Sequence, residues 1–150
     1  MKTIFNKMAQ NELIDRIKTL DENNTAQWGQ MNLYQMTKHC SKWDEWVLGK
    51  HAPKYTQTFL GRVFGKKVLK GMVKDDAPIK KNMPAGKAHT IKEKEGNIDA
   101  QKKIWMNLIA DYNQYSNPDF VHDFFGKMTQ EEIGILAYKH SDHHLRQFGA

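Results

Sequence analysis

Two helix starts constrain the fold of this chain more than any other feature. Asn32 stands three residues before Gln35, and Thr129 three residues before Glu132, each at the head of an apolar stripe. In such a capping box the first side chain accepts the backbone N–H three residues on. The Gln or Glu side chain in turn accepts the N–H of the cap. Behind Asn32, the residues Met36, Cys40, Trp43 and Val47 recur at intervals of three or four, with Gly49 as a stop. Behind Thr129, the residues Ile133, Leu136, Ala137 and His140 keep the same period to about Gln147. That spacing gathers each set on one side of an α-helix.

The remaining segments read in the same period. Leu13, Ile14, Ile17 and Leu20 predict a helix over 9–20, broken by Asp21-Glu22-Asn23-Asn24. A helix over 57–74 is predicted with Phe59, Leu60, Val63, Phe64, Val68 and Met72 as its apolar face. Arg62, Lys66, Lys70 and Lys74 form a basic stripe on another face, and Gly61, Gly65 and Gly71 weaken the helix. Ile104, Trp105, Leu108, Ile109 and Tyr112 predict a helix from Asp99 to Tyr115, closed by Ser116-Asn117-Pro118. Residues 75–96 hold two prolines, two glycines and many lysines, a long loop of the kind that forms a lid or rim. Phe120 to Met128 reads as an aromatic-rich connector, and no stretch alternates convincingly with the period of a strand. The expected fold class is all-α, a bundle of four or five helices in a single domain over 1–150.

Composition narrows the classes of function. With a single cysteine, neither an intrachain disulfide nor a Cys-rich zinc scaffold can form. No apolar run approaches the ~20 residues of a membrane span, and the first residues lack a secretory cleavage pattern. The expected setting is cytoplasmic, with no membrane. The net charge of +6 is uneven: residues 61–103 carry 12 basic and 5 acidic groups, and residues 104–150 carry 3 and 6. The middle of the chain is therefore where an anionic partner is attracted. No recognition motif accompanies the basic stripe, so nucleic acid is not the expected partner; a solvated helix face is the commoner use of such a stripe.

Seven histidines are present, three of them within five residues: His140, His143 and His144. His140 and His144 are one helical turn apart and continue the stripe of Ile133, Leu136 and Ala137 toward Gln147, so both point into the bundle. His143 is rotated off that stripe. His39 falls between Met36 and Trp43 on the inward stripe of the helix that starts at Asn32. One helix with a single inward histidine facing another with an i, i+4 pair makes a three-histidine metal site with an open position. The plainer alternative is that these imidazoles hydrogen-bond within the core. Ser141 follows His140 where a zincin motif has glutamate, so zincin hydrolysis is not indicated. Cys40 reads as a small core residue, and His51, His89 and His122 as surface loop residues.

Trp28-Gly29-Gln30-Met31-Asn32, leading into Gln35-Met36-Thr37-Lys38-His39-Cys40, resembles the second-helix signature of the DinB-like metal-binding bundle superfamily. Phe125-Gly126-Lys127-Met128-Thr129 and Tyr138 to Gly149 resemble the C-terminal signature of an uncharacterised branch of it. The resemblance covers essentially the whole chain. It implies a four-helix bundle of up-down-down-up connectivity, often a homodimer, with zinc or nickel on His39, His140 and His144. Tyr34 and Gln147 are the candidates for groups that orient those ligands.

Better-understood members of the superfamily are S-transferases and isomerases that use bacillithiol or mycothiol. The resemblance thus implies a metal-dependent thiol transferase with a small thiol or electrophile as its partner. The alternative class is a non-enzymatic module that binds an anionic partner through the basic helix 57–74.

Overall fold

The computed structural model describes residues 1–51, 57–83 and 90–150. Its elements are α1 (Lys7–Thr19), α2 (Leu33–Val47), α3 (Phe59–Val73), α4 (Ile98–Asp111), a 3₁₀ turn (Tyr112–Gln114), β1 (Val121–His122), β2 (Gly126–Lys127) and α5 (Gln130–Gln147). Helix dominates, so the all-α expectation stands. Each helix starts on a side chain that accepts a backbone N–H: Asn6, Asn32, Thr58, Asn97 and Thr129. Both expected capping boxes form, Asn32 with Gln35 and Thr129 with Glu132. Gly49 follows α2 at φ 73°, a left-handed conformation that costs glycine little. The two strands are a minimal antiparallel hairpin, with Val121 opposite Lys127 and His122 opposite Gly126.

Four helices share the core. α1 packs against α4 and α5, and α2 packs against the same two, while α3 lies on α5 and β2. Leu13 and Ile17 of α1, Met36, Cys40 and Val47 of α2, Trp105 and Ile109 of α4, and Ala137 and Leu145 of α5 are all completely or almost completely buried. Among them lies a carboxyl group. Asp44 of α2 has no exposure, and it accepts the Trp105 indole N–H at 3.1 Å and the Tyr112 hydroxyl at 2.8 Å. A buried polar group without partners is costly; these two bonds satisfy one oxygen each and pin α2 to α4.

The structure corrects the expected apolar face of α3 in its first two turns, while Val68 and Met72 pack inward as expected. Phe59, Leu60, Val63 and Phe64 are exposed, and the face turned inward carries Gly61, Gly65 and Leu69, with Val68, Met72 and Val73 half-buried beside them. The reason is the hairpin. A Cβ on Gly61 would stand 2.4 Å from the Phe124 carbonyl oxygen, and one on Gly65 only 2.2 Å from it. The helix lies directly on the hairpin backbone, an approach open only to residues without side chains. Ile104, expected in the apolar face of α4, is also exposed, because Trp105, Leu108 and Ile109 occupy the inward side. The far end of α3 is tied by Lys139 of α5, whose buried ammonium donates to the carbonyls of Met72 at 2.7 Å, Asp75 at 2.5 Å and Ala77 at 2.8 Å. A cation on the last carbonyls of a helix also complements its dipole.

Two alanine substitutions in one helix are expected to act in opposite directions. Gly65→Ala drives a methyl into main chain that cannot rotate away and costs about 3 kcal/mol. At Gly71 an added Cβ meets nothing within 4 Å, and Gly71→Ala stabilises by about 0.5–1 kcal/mol. Urea unfolding of the two variants beside the parent checks both signs.

Candidate metal centre

Three imidazoles meet where α2 faces α5. His39 and His144 are buried and His140 is half-buried, and one ring nitrogen from each lies within 4.8 Å of the others. The ring centroids are 5.2 Å apart for His39 and His140, 4.9 Å for His39 and His144, and 4.8 Å for His140 and His144. Nε2 of His39 is 3.2 Å from Nε2 of His140. The helix periods supply this geometry: the i, i+4 pair stacks one turn apart on α5, and His39 approaches from α2. The three histidines are close enough to hold a metal ion.

The surroundings orient the rings. His144 Nδ1 lies 2.9 Å from the Gln147 side-chain oxygen, and the Gln147 amide donates to the Trp28 carbonyl at 2.6 Å. Fixed in this way the Gln147 oxygen can only accept, so Nδ1 of His144 carries the proton and Nε2 is left with its lone pair. Burial, reinforced by the neighbouring His39, pushes the His144 pKa down to about 3; the ring is neutral, as a metal ligand must be. Trp43 stacks on His140 with centroids 4.5 Å apart and planes 25° apart.

Of the residues singled out from sequence, His39, His140, His144 and Gln147 come together. Tyr34 is engaged elsewhere: its hydroxyl accepts from Lys38 at 3.4 Å, and its ring fills the space a side chain on Gly96 would need. Five residues separate it from His39, which turns it about 140° around α2. Cys40 is fully buried and its thiol is pushed well above its usual pKa by burial, which fits a core residue. His143 flanks the cluster, with its ring centroid 5.2 Å from that of His144. His51 is exposed and His89 lies outside the described residues. His122 is not the surface residue expected: its side chain is only 12% exposed, and Nδ1 accepts the N–H groups of Phe124 and Phe125, shaping the hairpin.

Sequence reasoning missed the supporting roles of Trp43 and Trp28. Trp43 was legible, since it stands four residues after His39 on the same face. The Trp28 carbonyl had no signal, because a backbone acceptor leaves no mark on residue identity. Beside the cluster opens a cleft of about 540 Å³, lined among others by Trp28, Lys80, Lys81, His143 and Arg146. Lys81 sits over the Trp28 ring, 4.2 Å from its centroid. The described part of the lysine-rich loop thus forms one wall.

A mostly helical chain with a largely buried cluster of three histidines is the class that this geometry defines. A family model described as Protein of unknown function (DUF1569) matches residues 5–150, and the chain belongs to that family. No curated protein and no solved structure matches it.

Two buried groups give the metal-free protein opposed pH dependences. Burial raises the Asp44 pKa from 3.8 to about 7, so the folded state holds an extra proton in that window, and stability falls as pH rises through it. His144 falls from 6.5 to about 3, so the unfolded state holds the extra proton, and stability rises with pH between those values. Over the shared interval the two slopes oppose each other. Denaturant unfolding of Asp44→Asn is expected to expose the histidine slope, with stability rising by about 1.4 kcal/mol per pH unit below pH ~6 relative to the parent. His144→Phe is expected to tilt the other way.

Proposed function

We propose that the chain binds one divalent ion, zinc or nickel, on His39, His140 and His144, within a DinB-like four-helix bundle of up-down-down-up connectivity. We further propose that it is a metal-dependent transferase acting on a small thiol. The observation that carries the reading is the 3.2 Å between Nε2 of His39 and Nε2 of His140. Two nitrogens bound at about 2.0–2.1 Å to one tetrahedral zinc are about 3.3 Å apart. The same separation also serves an N–H···N bond between neutral rings, so the pair needs little movement to exchange a proton for an ion. The neutral His144, with its free Nε2, completes a donor set that suits zinc or nickel.

His39, His140 and His144 would hold the ion, which would supply a Lewis acid that favours the thiolate form of a bound thiol at neutral pH. The chain's own residues do the rest. Gln147 holds the proton of His144 on Nδ1 and aims the ring, and Trp43 covers one face of His140. Lys80 and Lys81 along the cleft attract an anionic group of the thiol or of its electrophilic partner, while Arg146 in the same wall is paired with Asp142 at 2.7 Å. Ser141 stands where a zincin carries its base, and attack by a thiolate needs none.

Elemental analysis of purified protein is expected to give one ion per chain, lost in His140→Ala/His144→Ala. Unchanged stoichiometry in that variant ends the reading. Gln147→Leu, which leaves the ligands intact, is expected to weaken metal affinity about 10–100-fold. Turnover of chlorodinitrobenzene with a low-molecular-weight thiol tests the transferase half. It is expected to require the ion and to vanish in His39→Ala; metal binding without turnover of any thiol would make the centre non-catalytic.

A further inference from the structure

The outward face of α3 is divided along its length. Its first two turns present Phe59, Leu60, Val63 and Phe64, exposed by 78%, 61%, 56% and 52%. The following turns present Lys66, Lys67, Lys70 and Lys74, all exposed, and Arg62 borders the apolar part; Lys66 also donates to the Lys127 carbonyl, and Lys74 lies 3.7 Å from the Asp75 carboxylate. No acidic residue occurs anywhere in 59–74. Single exposed apolar residues are ordinary, whereas four within six positions of one helix mark an interaction surface. The inward face cannot rotate out to hide them, because Gly61 and Gly65 lie on the Phe124 backbone and Lys139 grips the far end. Among the described residues the packing of α3 thus keeps the patch outward.

We propose that α3 docks this protein on the surface of an anionic lipid bilayer, with Phe59, Leu60, Val63 and Phe64 in the headgroup–acyl boundary and the lysines on the lipid phosphates. A helix with an apolar part and a cationic part on one outward side matches the two layers of such a surface. No described helix is long and apolar enough to cross a membrane, so the contact is peripheral. A second copy would cover the apolar part alone, since α3 carries no acid of its own to answer the five cations. Nucleic acid would satisfy the cations and leave Leu60 and Val63 in water. The proposal is independent of the metal reading, and its test needs no metal.

Sedimentation of the full chain with vesicles is the test. The protein is expected to co-sediment with vesicles of phosphatidylglycerol mixed into phosphatidylcholine and to stay in solution with phosphatidylcholine alone. Lys66→Gln/Lys67→Gln/Lys70→Gln is expected to weaken partitioning about a hundredfold, and Phe59→Ser/Phe64→Ser at least about tenfold. Helical circular dichroism should persist in both, since the changed side chains are exposed and only Lys66 bonds to another element, at the Lys127 carbonyl. Absence of binding to the anionic vesicles, or equal binding to both kinds, overturns the proposal. So does a parent dimer that Phe59→Ser/Phe64→Ser converts to monomer without any vesicle binding, which would assign the face to a second copy. Salt-sensitive DNA binding lost in the lysine variant, again without vesicle binding, would assign it to nucleic acid.

Discussion

The carboxyl group of Asp44 is the contact on which the geometry of the core turns. It takes the indole N–H of Trp105 and the hydroxyl of Tyr112 with no exposure to solvent, and so sets both the height and the rotation of α2 against α4. His39 lies five residues earlier, about 140° around the same helix, and therefore faces α5. One side of α2 is fixed by hydrogen bonds while another presents an imidazole. A small rotation of α2 would misplace both, which makes the carboxyl as relevant to the histidine cluster as the residues that touch it.

Polar groups are then layered outward from that core. The cluster is oriented by Gln147, Gln147 by the Trp28 carbonyl, and Trp28 by its place in the wall of the cleft beside Lys81 and His143. Each link uses a group whose bonding role is fixed by the next, so the tautomer of His144 follows from a carbonyl two links away. Burial then keeps the ring neutral without any charged partner.

How much of this could be read from sequence depended on whether the signal lived in side-chain identity. The caps Asn32 and Thr129, the stripes of α2 and α5 and the inward direction of His39, His140 and His144 did, and so the site residues were legible. The inward side of the first two turns of α3 was not. Counting apolar side chains assigns Phe59, Leu60, Val63 and Phe64 to the core, but the hairpin backbone occupies that side and only Gly61 and Gly65 admit it. The glycines read as defects in the helix were its packing surface. Asp44 was legible in principle, as a charge within an apolar stripe four residues from Cys40. Its partners, one on α4 and one on the turn that follows it, required the tertiary structure.

The three bonds from Lys139 to the end of α3 have a different kind of consequence. Every acceptor is a main-chain carbonyl, at Met72, Asp75 and Ala77. The clasp itself reads none of the side chains it closes on, although Met72 and Val73 are separately held by their packing against the core and the Asp75 carboxylate accepts the Ala77 N–H at 3.0 Å. The donor, by contrast, is specified. A methionine of similar length would leave the three carbonyls without this donor, and the flat guanidinium of arginine cannot present its N–H groups in the compact tripod of an ammonium. Tolerance to replacement is thus distributed unequally across a single contact, which reads side-chain identity only on the helix, next to His140.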